Sequence, residues 1–109
     1  MSDRLGAVLG ALADPTRREM VEVLLSDGTT SVPSLTGRFP ITRQAVAKHL
    51  ATLDDAGLLE RVDAPGREVR WRLRPGALAP AADWVRTAES AWDGRLGRLK
   101  RAVEEGPPD

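Results

Sequence analysis

A chain of 109 residues and 11.8 kDa has bulk for one domain that buries roughly two thirds of its unfolded surface, and a second domain is not expected. It has no cysteine, which excludes disulfides, thiolate metal sites and cysteine nucleophiles together and suits a reducing compartment. Its 16 Lys and Arg cancel its 16 Asp and Glu, so net charge does not by itself mark a nucleic-acid binder, and the distribution of charge has to carry that argument.

No long apolar run follows a basic segment at the N-terminus, and no stretch approaches the roughly 20 apolar residues of a membrane span, so a soluble, cytoplasmic protein with no membrane partner is expected. From Arg4 to Ala13, Leu5, Val8, Leu9 and Leu12 follow helical spacing and predict a short amphipathic helix. Asp14-Pro15 ends it and starts the next, with Asp14 as N-cap and Pro15 at a position where a missing amide hydrogen costs nothing. That second helix runs to about Ser26, turning Met20, Val21, Val23, Leu24 and Leu25 largely inward and keeping Arg17, Arg18, Glu19 and Glu22 at its polar end. Asp27-Gly28 closes it, and the polar run Thr29-Thr30-Ser31 follows.

Val32, Leu35 and Phe39 share one face of a third helix that Ser31 caps and Pro40 ends. Only Pro40 and Ile41 then stand before Thr42, whose hydroxyl can cap a fourth helix reaching Leu53. Two short helices across so tight a connection predict helix-turn-helix geometry over residues 32–53. In the fourth helix Val46, Leu50 and Leu53 make an apolar stripe for a core. Thr42, Arg43, Gln44, Ala47 and Lys48 are left outward, with no carboxylate before Asp54. Arg pairs with guanine, Gln with adenine, and Ala or Thr methyls touch thymine, so this face suits the major groove, where an ordinary amphipathic helix would only be solvated. His49, at the edge of the stripe, reads as a packed, hydrogen-bonded residue rather than a ligand or base.

Asp54-Asp55-Ala56-Gly57 reads as a helix end with Gly57 in the left-handed position. A hairpin over residues 58–74 comes next: Leu58 to Asp63, a type II turn at Ala64-Pro65-Gly66-Arg67, and Glu68 to Arg74. Val69, Trp71 and Leu73 alternate with Glu68, Arg70, Arg72 and Arg74, predicting one apolar and one mostly arginine face. Five arginines against Asp63 and Glu68 give residues 61–74 an excess of three positive charges in one short segment. Arg70 and Arg72 read equally as phosphate contacts and as partners of nearby acids, and Arg67 at the tip is the first choice for DNA. Ala77 to Ala82 reads as a turn region around Pro80, followed by a helix from about Asp83 to Glu105. There Trp84, Val85, Ala88, Trp92, Leu96, Leu99 and Val103 form a nearly coiled-coil stripe. With Leu5, Val8, Leu9 and Leu12 it is expected to build a dimer interface, although Trp84 and Trp92 are open to an effector-pocket reading as well.

Together these segments resemble the ArsR-type winged helix-turn-helix repressors. The resemblance rests on Ala11-Leu12-Ala13-Asp14-Pro15-Thr16-Arg17-Arg18, on Phe39 to Leu50, on Leu53 to Leu59, on Gly66-Arg67 and on Trp71-Arg72-Leu73, in the family's order. Ala82-Asp83-Trp84, Trp92-Asp93 and Arg95-Leu96-Gly97-Arg98-Leu99 are similar to the last helix of its metal-independent branch. The resemblance implies a mostly α fold with a small β-hairpin wing (α+β), a homodimer through the first and last helices, and recognition helices in successive major grooves of a palindromic DNA operator. Its metal sensors place cysteines on the helix that here carries Val32, Pro33, Ser34 and Leu35, or histidines on a last helix that here has none, so no metal or other cofactor is expected. An unidentified effector or partner protein stays open. So does a winged-helix interaction module that no longer binds DNA. An enzyme is not expected, because His49 with Asp54 or Asp55 has no positioned nucleophile beside it.

Overall fold

Side-chain caps start four of the five helices, and each is a residue type suited to that work. In the computed structural model, which describes residues 3–63, 66 and 68–106, Asp3 accepts from the Gly6 amide at 2.7 Å and opens α1 (Arg4–Leu12). Asp14 accepts from Arg17 N–H at 3.0 Å and opens α2 (Pro15–Asp27). Ser31 and Thr42 do the same for α3 (Val32–Thr36) and α4 (Arg43–Asp55), accepting from Ser34 and Ala45 at 3.2 and 3.0 Å. The strands β1 (Leu59–Val62) and β2 (Arg70–Leu73) pair antiparallel in the register Leu59↔Leu73 to Val62↔Arg70, and α5 (Ala79–Glu105) ends the order. This is the expected mostly helical architecture with a hairpin wing.

Two compact units divide the chain, one reaching Leu78 and one starting at Ala79. In the first, α4 packs against α1, α2, α3 and β1. Val46, Leu50 and Leu53 are fully buried with Met20 and Leu24 of α2, Leu35 of α3, Val8 and Ala11 of α1, and Leu58 and Leu59. Each buried leucine adds about 1.5–3 kcal/mol of burial free energy, so the back of α4 holds the helix-turn-helix together and leaves its front free. The second unit is α5 alone, which buries none of its residues.

The chain leaves α4 through a Schellman turn. Gly57, at φ +82°, donates to Asp54 O at 2.9 Å and Leu58 to Leu53 O at 3.0 Å, so the turn feeds straight into the buried start of the hairpin.

Several boundaries differ from those the sequence predicts. α3 stops at Thr36 instead of Phe39, because Gly37 is a poor helix former and Pro40 disfavours helical backbone at Phe39; Arg38 and Phe39 still donate to Leu35 O, which keeps the turn tight. α5 begins at Ala79, with Pro80 inside its first turn, where no amide hydrogen is needed, rather than at Asp83. Leu25 is 63 % exposed and does not join the core. The strands are shorter than predicted, and Val69 lies past the last ladder pair, 45 % exposed instead of inward. Thr29-Thr30-Ser31 is more than a linker, since Thr30 and Trp71 exchange backbone hydrogen bonds at 3.0 and 2.8 Å and pin β2 to the start of α3. The predicted type II turn lies outside the described residues at Ala64, Pro65 and Arg67; Gly66 has the positive φ, +93°, that such a turn requires.

Candidate nucleic-acid interface

The core face of α4 fixes where the opposite face points. Arg43, Gln44, Ala47 and Lys48 are all exposed, as is Thr42, and the first turn carries no acid. Among the described residues neither Arg43 nor Lys48 enters an ion pair. The Thr42 hydroxyl oxygen is engaged by the Ala45 amide, which leaves its hydrogen available to an acceptor outside the helix.

Beside this face, Arg43, Gln44 and Ala47 line a largely apolar groove of about 460 Å³ with Val32 and Pro33 of α3 and with Glu68 and Val69 next to β2. The exposed Val69 is one of its walls.

The arginines of the hairpin are tied in place. Arg70 donates twice to Thr29 Oγ1, from Nε at 3.1 Å and Nη2 at 2.9 Å, and pairs with Glu68 at 3.1 Å. Arg72 pairs with Glu60 at 2.7 Å, and Arg74 reaches the same carboxylate at 3.8 Å. Arg61 lies over the Trp71 ring, 5.3 Å from its centre. Arg67 lies outside the described residues. Sequence reasoning did not name Glu60, Glu68 or Thr29 as partners. Counting back across the hairpin would have found Glu60, which stands directly opposite Arg72 in the register.

His49 is half-buried, and its Nδ1 lies 3.4 Å from Arg17 Nη1. Arg17 and Arg18 had been read only as the polar end of α2, yet both reach back to the carbonyls that end α1. The Asp14 carboxyl is lowered from its ordinary value, chiefly because it accepts from the Arg17 amide, against some desolvation and with help from the Arg17 charge. Among the described residues there is no group of three or more His, Asp or Glu able to hold a metal ion, and no helix is long and apolar enough to cross a membrane.

The residues assigned to a dimer interface fall into two kinds. Val8 is 1 % exposed and used up in the chain's own core, so it has no surface for a second copy. Leu5 and Leu12 are half-buried and Leu9 is exposed. On α5, Trp84, Val85, Trp92, Leu96, Leu99 and Val103 are all exposed, and Ala88 is half-exposed. Trp84, Val85, Ala88 and Trp92 line a shallow apolar hollow of about 240 Å³ on that helix.

Comparison with known proteins agrees with this geometry. The helix-turn-helix domain family HTH_20 matches residues 12–62. An uncharacterized HTH-type transcriptional regulator of Bacillus subtilis (strain 168), YuzN, is 40 % identical over 65 residues, spanning 54 % of this chain and 71 % of that protein. Among solved structures, an ArsR-like transcriptional regulator from Rhodococcus sp. RHA1 superposes with a TM-score of 0.77 at 39 % identity, covering 90 % of this chain and 91 % of the other. A structure described as a possible transcriptional regulator for arsenical resistance superposes with a TM-score of 0.66 at 33 % identity, over 99 % and 100 % of the two chains.

Proposed function

Since the chain belongs to the ArsR family of helix-turn-helix transcriptional regulators, whose members bind double-stranded DNA, we propose that it is a homodimeric repressor that occludes a palindromic operator without a metal cofactor. The observation that carries the reading is the outward face of α4, where a hydroxyl, two cations, an amide and a methyl stand exposed with no acid among them. Arg43, Gln44 and Lys48 read base edges, Ala47 packs on a thymine methyl, and Thr42 donates to a phosphate. Arg67, Arg70 and Arg72 supply sequence-independent attraction to the backbone; Arg70 and Arg72 do so once released from, or shared with, Glu68 and Glu60.

Dimerisation is supported by the unburied stripe of α5 from Trp84 to Leu99, with Leu5, Leu9 and Leu12 as the contribution of α1. A two-fold protein then needs half-sites about 34 Å apart, or a multiple of that. Independence from metal is supported by the lack of cysteine and of any histidine after His49.

The test is an anisotropy titration against a random duplex pool and the chain's own upstream DNA, with and without zinc, beside a mass measurement in solution. Tight, salt-sensitive, zinc-indifferent binding of a dimer to a palindrome is the expected result. A folded dimer that prefers no duplex even at low salt would overturn it in favour of a winged-helix module that binds another protein.

A further inference from the structure

α1 ends with no basic residue in its own last turn, and α2 begins only two residues later, so the last carbonyls of α1 need donors from outside the helix. Two neighbouring arginines supply them in different ways. Arg18 spends Nη1 on the final pair, Leu12 O at 2.6 Å and Ala13 O at 3.0 Å. Arg17 takes the pair before, with Nε to Ala11 O at 2.6 Å and Nη2 to Gly10 O at 3.2 Å. That leaves Arg17 Nη1, which points at His49 Nδ1 in the middle of α4, 3.4 Å away. One planar cation rooted in α2 therefore joins the end of α1 to the helix that carries the reading face. Capping alone would not need the third contact.

We infer that Arg17 is a positioning residue for DNA reading, fixing α4 against the end of α1 through a neutral His49, and this rests on the assignment of α4 as the recognition helix. A guanidinium carries donors only, so the contact requires Nδ1 to be the acceptor and the imidazole hydrogen to sit on Nε2. A proton on Nδ1 replaces the acceptor with a donor facing a cation, and the link is lost. His49 follows Lys48 by one position, about 100° round the helix, so any roll of α4 that releases His49 swings Arg43, Gln44 and Lys48 with it.

The experiment uses the full chain, a duplex selected from a random pool by the parent protein, and three variants. His49→Leu keeps bulk and removes the acceptor. His49→Asn places an oxygen at the δ position and cannot take up a proton. Arg17→Lys keeps the charge but cannot span three acceptors, and because it also disturbs the caps of α1, the two His49 variants carry the test. Circular dichroism and solution mass establish that each is folded and assembled like the parent. We expect His49→Leu to bind the duplex roughly tenfold more weakly, the scale of one hydrogen bond to a charged group, and His49→Asn to stay near the parent. Parent-like affinity in His49→Leu, or a loss in His49→Asn as large as in His49→Leu, would overturn the inference. If the parent selects no duplex, the repressor reading fails, and amide exchange in the free protein then decides: faster exchange along α4 in His49→Leu than in His49→Asn upholds the link, and equal exchange removes it.

Discussion

Arg72 and Glu60 face each other across the hairpin as partners in the β1–β2 ladder, and Arg72 Nε donates to Glu60 Oε1 at 2.7 Å. The carboxylate also lies 3.8 Å from Arg74, so one acid restrains two of the wing's cations. Glu60→Gln should free both and strengthen binding to all duplexes alike, with a steeper salt dependence. Arg67→Ala should do the opposite, lowering the slope of log affinity against log salt by about 1 without changing sequence preference. Anisotropy titrations at several salt concentrations measure both.

On α4 the effect should depend on sequence. Arg43→Ala or Gln44→Ala is expected to cost about 1–3 kcal/mol at the cognate site and to blur preference at one base pair each, while leaving non-specific binding nearly unchanged. Selection from a degenerate pool by each variant reads the preference directly. Parent-like selection by both would move the reading face elsewhere.

The Asp14 carboxyl, lowered by the Arg17 amide and by nearby positive charge, links stability to acid pH. Folding favours its ionised form, so its contribution is complete above the carboxylate range of the unfolded chain and fades as pH falls through the folded value. Asp14→Asn keeps a capping oxygen and loses the titration. Its melting temperature should lie below the parent's near pH 7, and the gap should narrow toward about pH 3. Thermal unfolding at a series of pH values checks this.

Gly57 holds φ +82° at the end of α4, and a methyl group there would meet only the Arg4 guanidinium at an ordinary 3.8 Å. The cost of Gly57→Ala is therefore one of backbone conformation, about 1–2 kcal/mol in urea unfolding, with no loss from a clash.

Trp92→Asp or Leu96→Asp places a carboxylate in the exposed stripe of α5 without touching a buried side chain. The fold should persist by circular dichroism, while association weakens by about 2 kcal/mol or more and light scattering moves toward the monomer mass.

The outward face of α4 was legible because it depends on one helix period: Val46, Leu50 and Leu53 fix the buried side, and Thr42, Arg43, Gln44, Ala47 and Lys48 follow as its complement. Caps were legible for the same reason, since Asp14, Ser31 and Thr42 act within three residues of their own position. What escaped was long-range. Nothing local tells that Thr30 pairs with Trp71, that Thr29 holds Arg70 across 41 positions, or that Arg17 reaches His49 across 32. Pro80 misled because proline is a breaker in a helix interior and harmless in a first turn, and its position relative to the helix start decides which rule applies. Val69 misled because alternation predicts a face only while the ladder lasts, and this one ends at Arg70.

The unburied stripe of α5 has a thermal consequence. Removing two indoles and several aliphatic side chains from water on assembly lowers the heat capacity, and attraction of that origin weakens in the cold. If two copies assemble through this helix, as proposed, the repressor would hold its promoter less tightly as temperature drops, and transcription of its target would rise in the cold.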